Sequence, residues 1–261
     1  IKTIENICIL TKVSKTYFAS SEDYALKILN VYLNTDNPEL KLSAISTVSH
    51  LIRHNSSLIK VFLNNFPILT DKNVFLKESD GVKQCLINCL VFSIIEDIKS
   101  LKYISEQSDT LTETLLSFIE KFNNILKVKT IILLAFLMVE PGIILKYGEE
   151  IFVKMKKFRL YKNREVHLSV KFFEKIVSSN SPSFIKTFNA LISKDKINDI
   201  IKYCKIFDIT GLYHRISFSL FTTEFLESIK KLIKKKISNN ENNDELIGHL
   251  LDVLIKFSEN P

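Results

Sequence analysis

Glycine and proline are scarce: five of each among 261 residues. Architectures built on tight turns and hairpins draw far more heavily on both, because Gly and Pro supply the special backbone angles of turns. Strand-rich folds are therefore excluded, and helices joined by short polar loops are expected. Tryptophan is absent, and four cysteines stand at no framework spacing. That excludes a disulfide scaffold and points to a reducing compartment. The charge-free run Thr130 to Val139 falls short of the roughly 20 apolar residues a membrane span needs and reads as a buried helix. Five scattered glycines cannot build a phosphate-cradling loop. No Gly-x-Ser-x-Gly, His-Glu-x-x-His or kinase signature occurs. The expectation is a region that is not an enzyme and carries no cofactor. The chain starts at Ile1 without a signal-peptide pattern, and is expected to be a fragment of a longer protein.

What is present is apolar bulk in helical rhythm. Hydrophobic residues make up 46% and charged ones 25%, with 19 Phe and 8 Tyr, the balance of a globular chain with a sizeable core. In PELKLSAISTVSHLIRHNSSLIKVF (Pro38 to Phe62), Leu40, Leu42, Ile45, Val48, Leu51 and Ile52 form one apolar helical face after the first pair. Asp36 or Asn37 can cap it, with Pro38 in the first turn. His54 and Asn55 end it, and a second helix follows through Phe62. The layout returns 86 residues later in Leu126, Val128, Ile131, Leu134, Leu137 and Met138, where Pro141-Gly142 stops the helix. A weaker copy covers 82–97 with Cys85, Leu86, Cys89, Leu90 and Phe92. A fourth covers 166–177 with Leu168, Val170, Phe172, Phe173 and Ile176. Copies recur at roughly 40 to 45 residues, the period of armadillo or HEAT units, which stack because one helical hairpin cannot bury its own face.

Further helices are expected at 22–34, 111–122, 150–158, 197–207, 223–237 and 245–257. Residues 206–220 are ambiguous, and the polar loop NNENND at 239–244 is the best candidate for mobility. The expected fold is an all-α right-handed solenoid of armadillo/HEAT-like repeats, one domain over 1–261.

Candidate sites are few. His50 and His54 stand four apart, but zinc needs three or four ligands and no partner appears at a matching spacing, so no metal site is expected. Cys85 and Cys89 follow the apolar face as small core residues, and neither Cys8 nor Cys204 adds a site. The net charge of +7 and pI near 9.0 suit an acidic partner: nucleic acid, an anionic membrane face or an acidic protein surface. Two basic clusters could carry it. KMKKFRLYKNR holds Lys154, Lys156, Lys157, Arg159, Lys162 and Arg164 around Phe158 and Tyr161, and straddles a predicted turn between two helices. KKLIKKK holds Lys230, Lys231, Lys234, Lys235 and Lys236 on the solvated side of a helix, with Leu232, Ile233 and Ile237 turned inward. The first is the expected partner-binding site.

The phrase SAISTVSHLIRHNSSLIKVFLNNF (Ser43 to Phe66) resembles a segment of the C-terminal repeat region in the fourth unc-51-like kinase family. Runkel is the plant member of that family, and the Fused kinases are relatives. Ala44, Ile45, Val48, Leu51, Arg53, His54, Asn55 and Ser56 carry the match. Lys83, Gln84 and Leu86 in DGVKQCLINCLVFSIIE are similar to a second helix of that family, and Leu126, Lys127 and Lys129 to a third, in the same order. Ser57 and Thr130 depart from the pattern. The resemblance covers roughly Tyr24 to Ile192. It implies a kinase or pseudokinase domain upstream and a repeat array acting as a scaffold in microtubule, ciliary or cytokinetic organisation. Its implied partners are proteins such as a kinesin or a Fused-like kinase. The implied location is cytoplasmic, at the cytoskeleton or cilium. The alternative expectation is a generic armadillo/HEAT adaptor or transport factor whose basic surface binds an acidic partner; nucleic acid is the less favoured partner.

Overall fold

A computed structural model describes residues 1–10, 22–54, 56–65, 67, 70–210, 222–238 and 243–259. Helix is the only regular structure among them, and no strand occurs there. None of these helices is long and apolar enough to cross a membrane. Most of the ambiguous 206–220 segment and of the 239–244 loop lies outside the described residues. The chain forms two compact units, Ile1–Phe136 and Leu137–Pro261.

The first unit runs α1 (Lys2–Leu10), α2 (Glu22–Asn34), α3 (Pro38–Leu51), a 3-10 turn (Ile52–His54), α4 (Ser56–Asn64), α5 (Lys72–Lys77), α6 (Asp80–Glu96), α7 (Lys99–Gln107) and α8 (Asp109–Phe118). It ends within α9 (Asn124–Leu137). Helix α3 is its centre and packs against α1, α2 and α6. Asn37 starts it: the side-chain oxygen accepts from the backbone N–H of Glu39 and Leu40, both at 3.0 Å, satisfying two donors that a helix start leaves open. Ala44, Ile45, Val48, Leu51 and Ile52 are fully buried. Leu40 and Leu42, expected on that face, are instead exposed. They occupy the first turns of α3, and Leu42 reaches over Gly81, where an added Cβ would stand 3.1 Å from Leu42 Cδ1. The Arg53 guanidinium lies 4.0 Å from the Phe92 ring centroid, tying the corner after α3 to α6 by a cation–π contact.

The second unit contains α10 (Pro141–Arg159), α11 (Arg164–Ser179), α12 (Ser181–Ser193), α13 (Ile197–Thr210), α14 (Thr223–Ser238) and α15 (Asp244–Glu259). The helix expected at 150–158 is the second half of a longer one, α10. Gly148 does not break it, because it marks a close approach: a Cβ there would meet Ile206 Cδ1 of α13 at 2.8 Å. Helix α13 packs on α10, α12 and α15. Phe188 sits among Tyr203, Phe207 and Phe225, with ring centroids 6.1, 5.6 and 5.0 Å away. On α11 the buried stripe is Val166, Val170, Phe173 and Val177. Leu168, expected inside, is 51% exposed, because positions 166, 170, 173 and 177 keep helical spacing and 168 lies on the opposite side.

Polar side-chain links between segments distant in sequence span 35 to 46 residues: Tyr32 and Lys41 donate to Glu78 across 46 and 37, and Asn189 to Glu224 across 35. Ser46 donates to Glu5 at 2.6 Å across 41 residues. Tyr103 donates to the Leu63 carbonyl across 40, and Asn123 to Asp80 across 43. In the second unit, Asn180 donates to the Val139 carbonyl and Lys236 to Asp195, each across 41.

Candidate functional site

The expected partner-binding residues lie at the corner between α10 and α11. Lys156, Lys157 and Arg159 are exposed on the last turns of α10, Lys162 is exposed in the turn, and Arg164 is exposed at the first position of α11; Lys154 is half-buried. Between Phe152 and Phe173 the chain holds seven cations, these six and Lys171, against one acid, Glu165.

Hydrogen bonds and an ion pair close the corner. The Leu160 N–H donates to the Lys157 carbonyl at 3.3 Å and the Tyr161 N–H to the Phe158 carbonyl at 3.0 Å, closing the last turn of α10. Asn163 then caps α11, accepting from Glu165 and Val166 N–H groups at 3.0 Å each. A His167 ring nitrogen meets the Arg159 carbonyl at 3.2 Å. Arg159 lies 3.8 Å from Glu174 of α11. Beneath the turn, the buried Phe158 ring meets Tyr161 edge-on at 5.8 Å. At its apex Leu160 is 83% exposed. Sequence reasoning missed this residue, because a leucine next to a helical stripe looks like core. The available signal was its place after the last full turn, between Arg159 and Lys162.

The second cluster departs from expectation. Lys236, expected in solvent, is fully buried, and Ile237, expected inside, is 60% exposed. The Lys236 ammonium contacts both oxygens of Asp195, at 2.9 and 3.2 Å. Asp195 sits in the turn between α12 and α13 at φ 52°, a left-handed conformation that Asp tolerates better than most residues. The hydrogen bond from Lys236 holds its carboxyl below the usual range, outweighing the opposing cost of burial, with the Lys236 and Lys235 charges adding to the lowering. Lys230 pairs with Glu227 at 3.1 Å. One lysine is thus structural and another neutralised, which leaves the α10–α11 corner as the denser positive surface.

No group of three or more His, Cys, Asp and Glu able to hold a metal occurs among the described residues. His50 is half-buried, and the His54 side chain and that of Cys8 lie outside the described set. Cys89 and Cys204 are buried and Cys85 half-buried. Burial pushes the Cys85 thiol up to about 11, Cys204 to about 12 and Cys89 upward, so at neutral pH they stay protonated and behave as packing groups. No family model matches the chain. No curated protein matches it. Among solved structures the chain is similar to an engineered protein, at 10% identity over 90% of this chain and 97% of that one, with a TM-score of 0.49.

Proposed function

We propose that this chain is a non-catalytic interaction scaffold, a right-handed α-solenoid of armadillo/HEAT-like units whose helical surface holds other macromolecules. The observation that carries this reading is that the polar links between distant segments all span 35 to 46 residues, close to the length of one helical repeat. In a stack each unit touches only its neighbours, so long-range contacts gather at one repeat length. The resemblance of Ser43 to Phe66 to the fourth unc-51-like kinase and Runkel family supplies the context: microtubule, ciliary or cytokinetic organisation, with a kinesin or a Fused-like kinase as partner. Sedimentation of the 261-residue chain with microtubules, with and without a kinesin, tests it. Co-pelleting is the expected result, and a chain that stays in the supernatant at low salt in both mixtures sinks the microtubule context.

A second reading has its own support. Seven cations against one acid in 152–173 favour the α10–α11 corner as a docking point for an anionic partner, as a generic adaptor would use. Its signature is binding that weakens with salt and is lost on reversal of Lys156, Lys157 and Lys162 to Glu.

A further inference from the structure

The α10–α11 corner exposes an aliphatic tip, Leu160, between exposed cations in the chain, and we infer that it docks on an anionic lipid bilayer. The inference rests on the reading of this corner as an anion-docking point and names what it docks on.

Ordinary helix chemistry accounts for part of the charge only. Lys156, Lys157 and Arg159 lie in the last turn of α10, where cations offset the negative end of the helix dipole. Arg164 does the opposite: it opens α11, at the positive end, where a cation is disfavoured. Lys162 stands in the turn between the helices and gains from neither dipole. Their placement answers an external negative surface better than it answers the needs of the helices.

The apolar groups decide which surface. Among the described residues Leu160 is the most exposed of the large hydrophobic side chains, at 83%, with Tyr161 beside it at 40%. Val153 is 51% exposed and shares the α10 face with Lys156, Lys157 and Leu160 by its spacing of three, four and seven. A nucleic acid would meet the cations, but Val153 and Leu160 have no π-face on which a base could stack. An acidic peptide would neutralise the cations and leave Leu160 in water. A bilayer satisfies all of them together. Aliphatic side chains enter the boundary between headgroups and acyl chains, Tyr161 sits at the interface, and the lysine and arginine stems carry their charges back to the phosphates.

Vesicle flotation tests this with the 261-residue chain. The two preparations are phosphatidylcholine alone and phosphatidylcholine with about one-third phosphatidylserine. The expected result is flotation with the second only. Each cation removed should lower the partition constant roughly five-fold, so Lys156/Lys157/Lys162→Glu should lower it on the order of 100-fold or more. Leu160→Ser should lower it about ten-fold at unchanged charge. These residues are exposed, so unchanged circular dichroism checks that the variants fold. Flotation that is indifferent to Leu160→Ser overturns the inference, because the tip then does not enter the bilayer. No flotation, with salt-sensitive binding to polyglutamate or polyuridylate, overturns it while leaving the anion-docking reading intact. No binding to any of these probes removes both.

Discussion

Lys236 shows where a single residue defeats a reading by type. Its position was legible: Phe225, Ile229, Leu232 and Lys236 are all buried on α14, at the spacing of one helical stripe. A lysine at the end of that stripe is ordinarily placed in water, since burying an unpaired charge costs too much. The partner that makes burial tolerable, Asp195, lies 41 residues earlier in a turn that no local pattern connects to it. Asp195→Asn should therefore cost about 2 kcal/mol in chemical denaturation, at the low end for such a pair because Asp195 is half in water. Asn also adopts the left-handed backbone, so the loss is electrostatic. The carboxyl is held below its ordinary value. Its contribution is therefore in full force above the unfolded value near 3.9 and declines as pH falls through the folded one. The stability gap between the chain and Asp195→Asn should be constant from about pH 7 to 5 and close below about pH 4. A gap unchanged down to pH 3 would show that the charge is not its source. Thr130, a departure from the family phrase, is fully buried with no hydrogen-bond partner for its hydroxyl. Thr130→Val removes that orphan at nearly constant shape, and should raise stability by about 1 kcal/mol, read as a higher denaturant midpoint.

At the scale of the element, most of the helices were legible, because helix starts and apolar stripes are local. The expected helix at 22–34 is α2, Glu22–Asn34, and of the two caps expected for α3, Asp36 or Asn37, Asn37 makes the two bonds. What was not legible was which side of a stripe meets a neighbour. On α3, Leu40 and Leu42 belong to the apolar face by spacing, yet they are exposed while Ala44 and Thr47 are buried. A helix wrapped by α1, α2 and α6 buries whatever the closest neighbours cover, small and polar residues included. Gly148 shows the same dependence on neighbours: alone a glycine weakens a helix, but against Ile206 it lets two helices approach. The cap predicts a measurable cost. Asn37→Ala should lower stability by about 1 kcal/mol, and Asn37→Asp should restore most of it, since either an amide or a carboxylate oxygen accepts from Glu39 and Leu40. Equal losses in both variants would mean the bonds at 3.0 Å do not hold the helix start.

For the whole molecule, the candidate site was legible as a run of charge but not as a shape. KMKKFRLYKNR announced its cations; only the folded corner reveals that Leu160 stands at its apex and that Arg164 opens a helix rather than closing one. The proposed stack makes its own prediction about how the molecule comes apart. In a nearest-neighbour array, damage weakens the unit that holds it and fades with distance along the chain, whereas a single shared core loses protection everywhere at once. Phe188 is the place to make the damage, because it is fully buried among Tyr203, Phe207 and Phe225 and Phe188→Ala removes about 3 to 4 kcal/mol of packing. Hydrogen exchange read by peptide should then show the largest loss of protection in α12, α13 and α14. Helices α3 and α6 should keep most of theirs, held by Ala44, Ile45, Val48 and Leu86 in a separate unit. Uniform loss across both units would mean that the 261 residues unfold as one cooperative body, and the repeat array would have to be given up in favour of a single core.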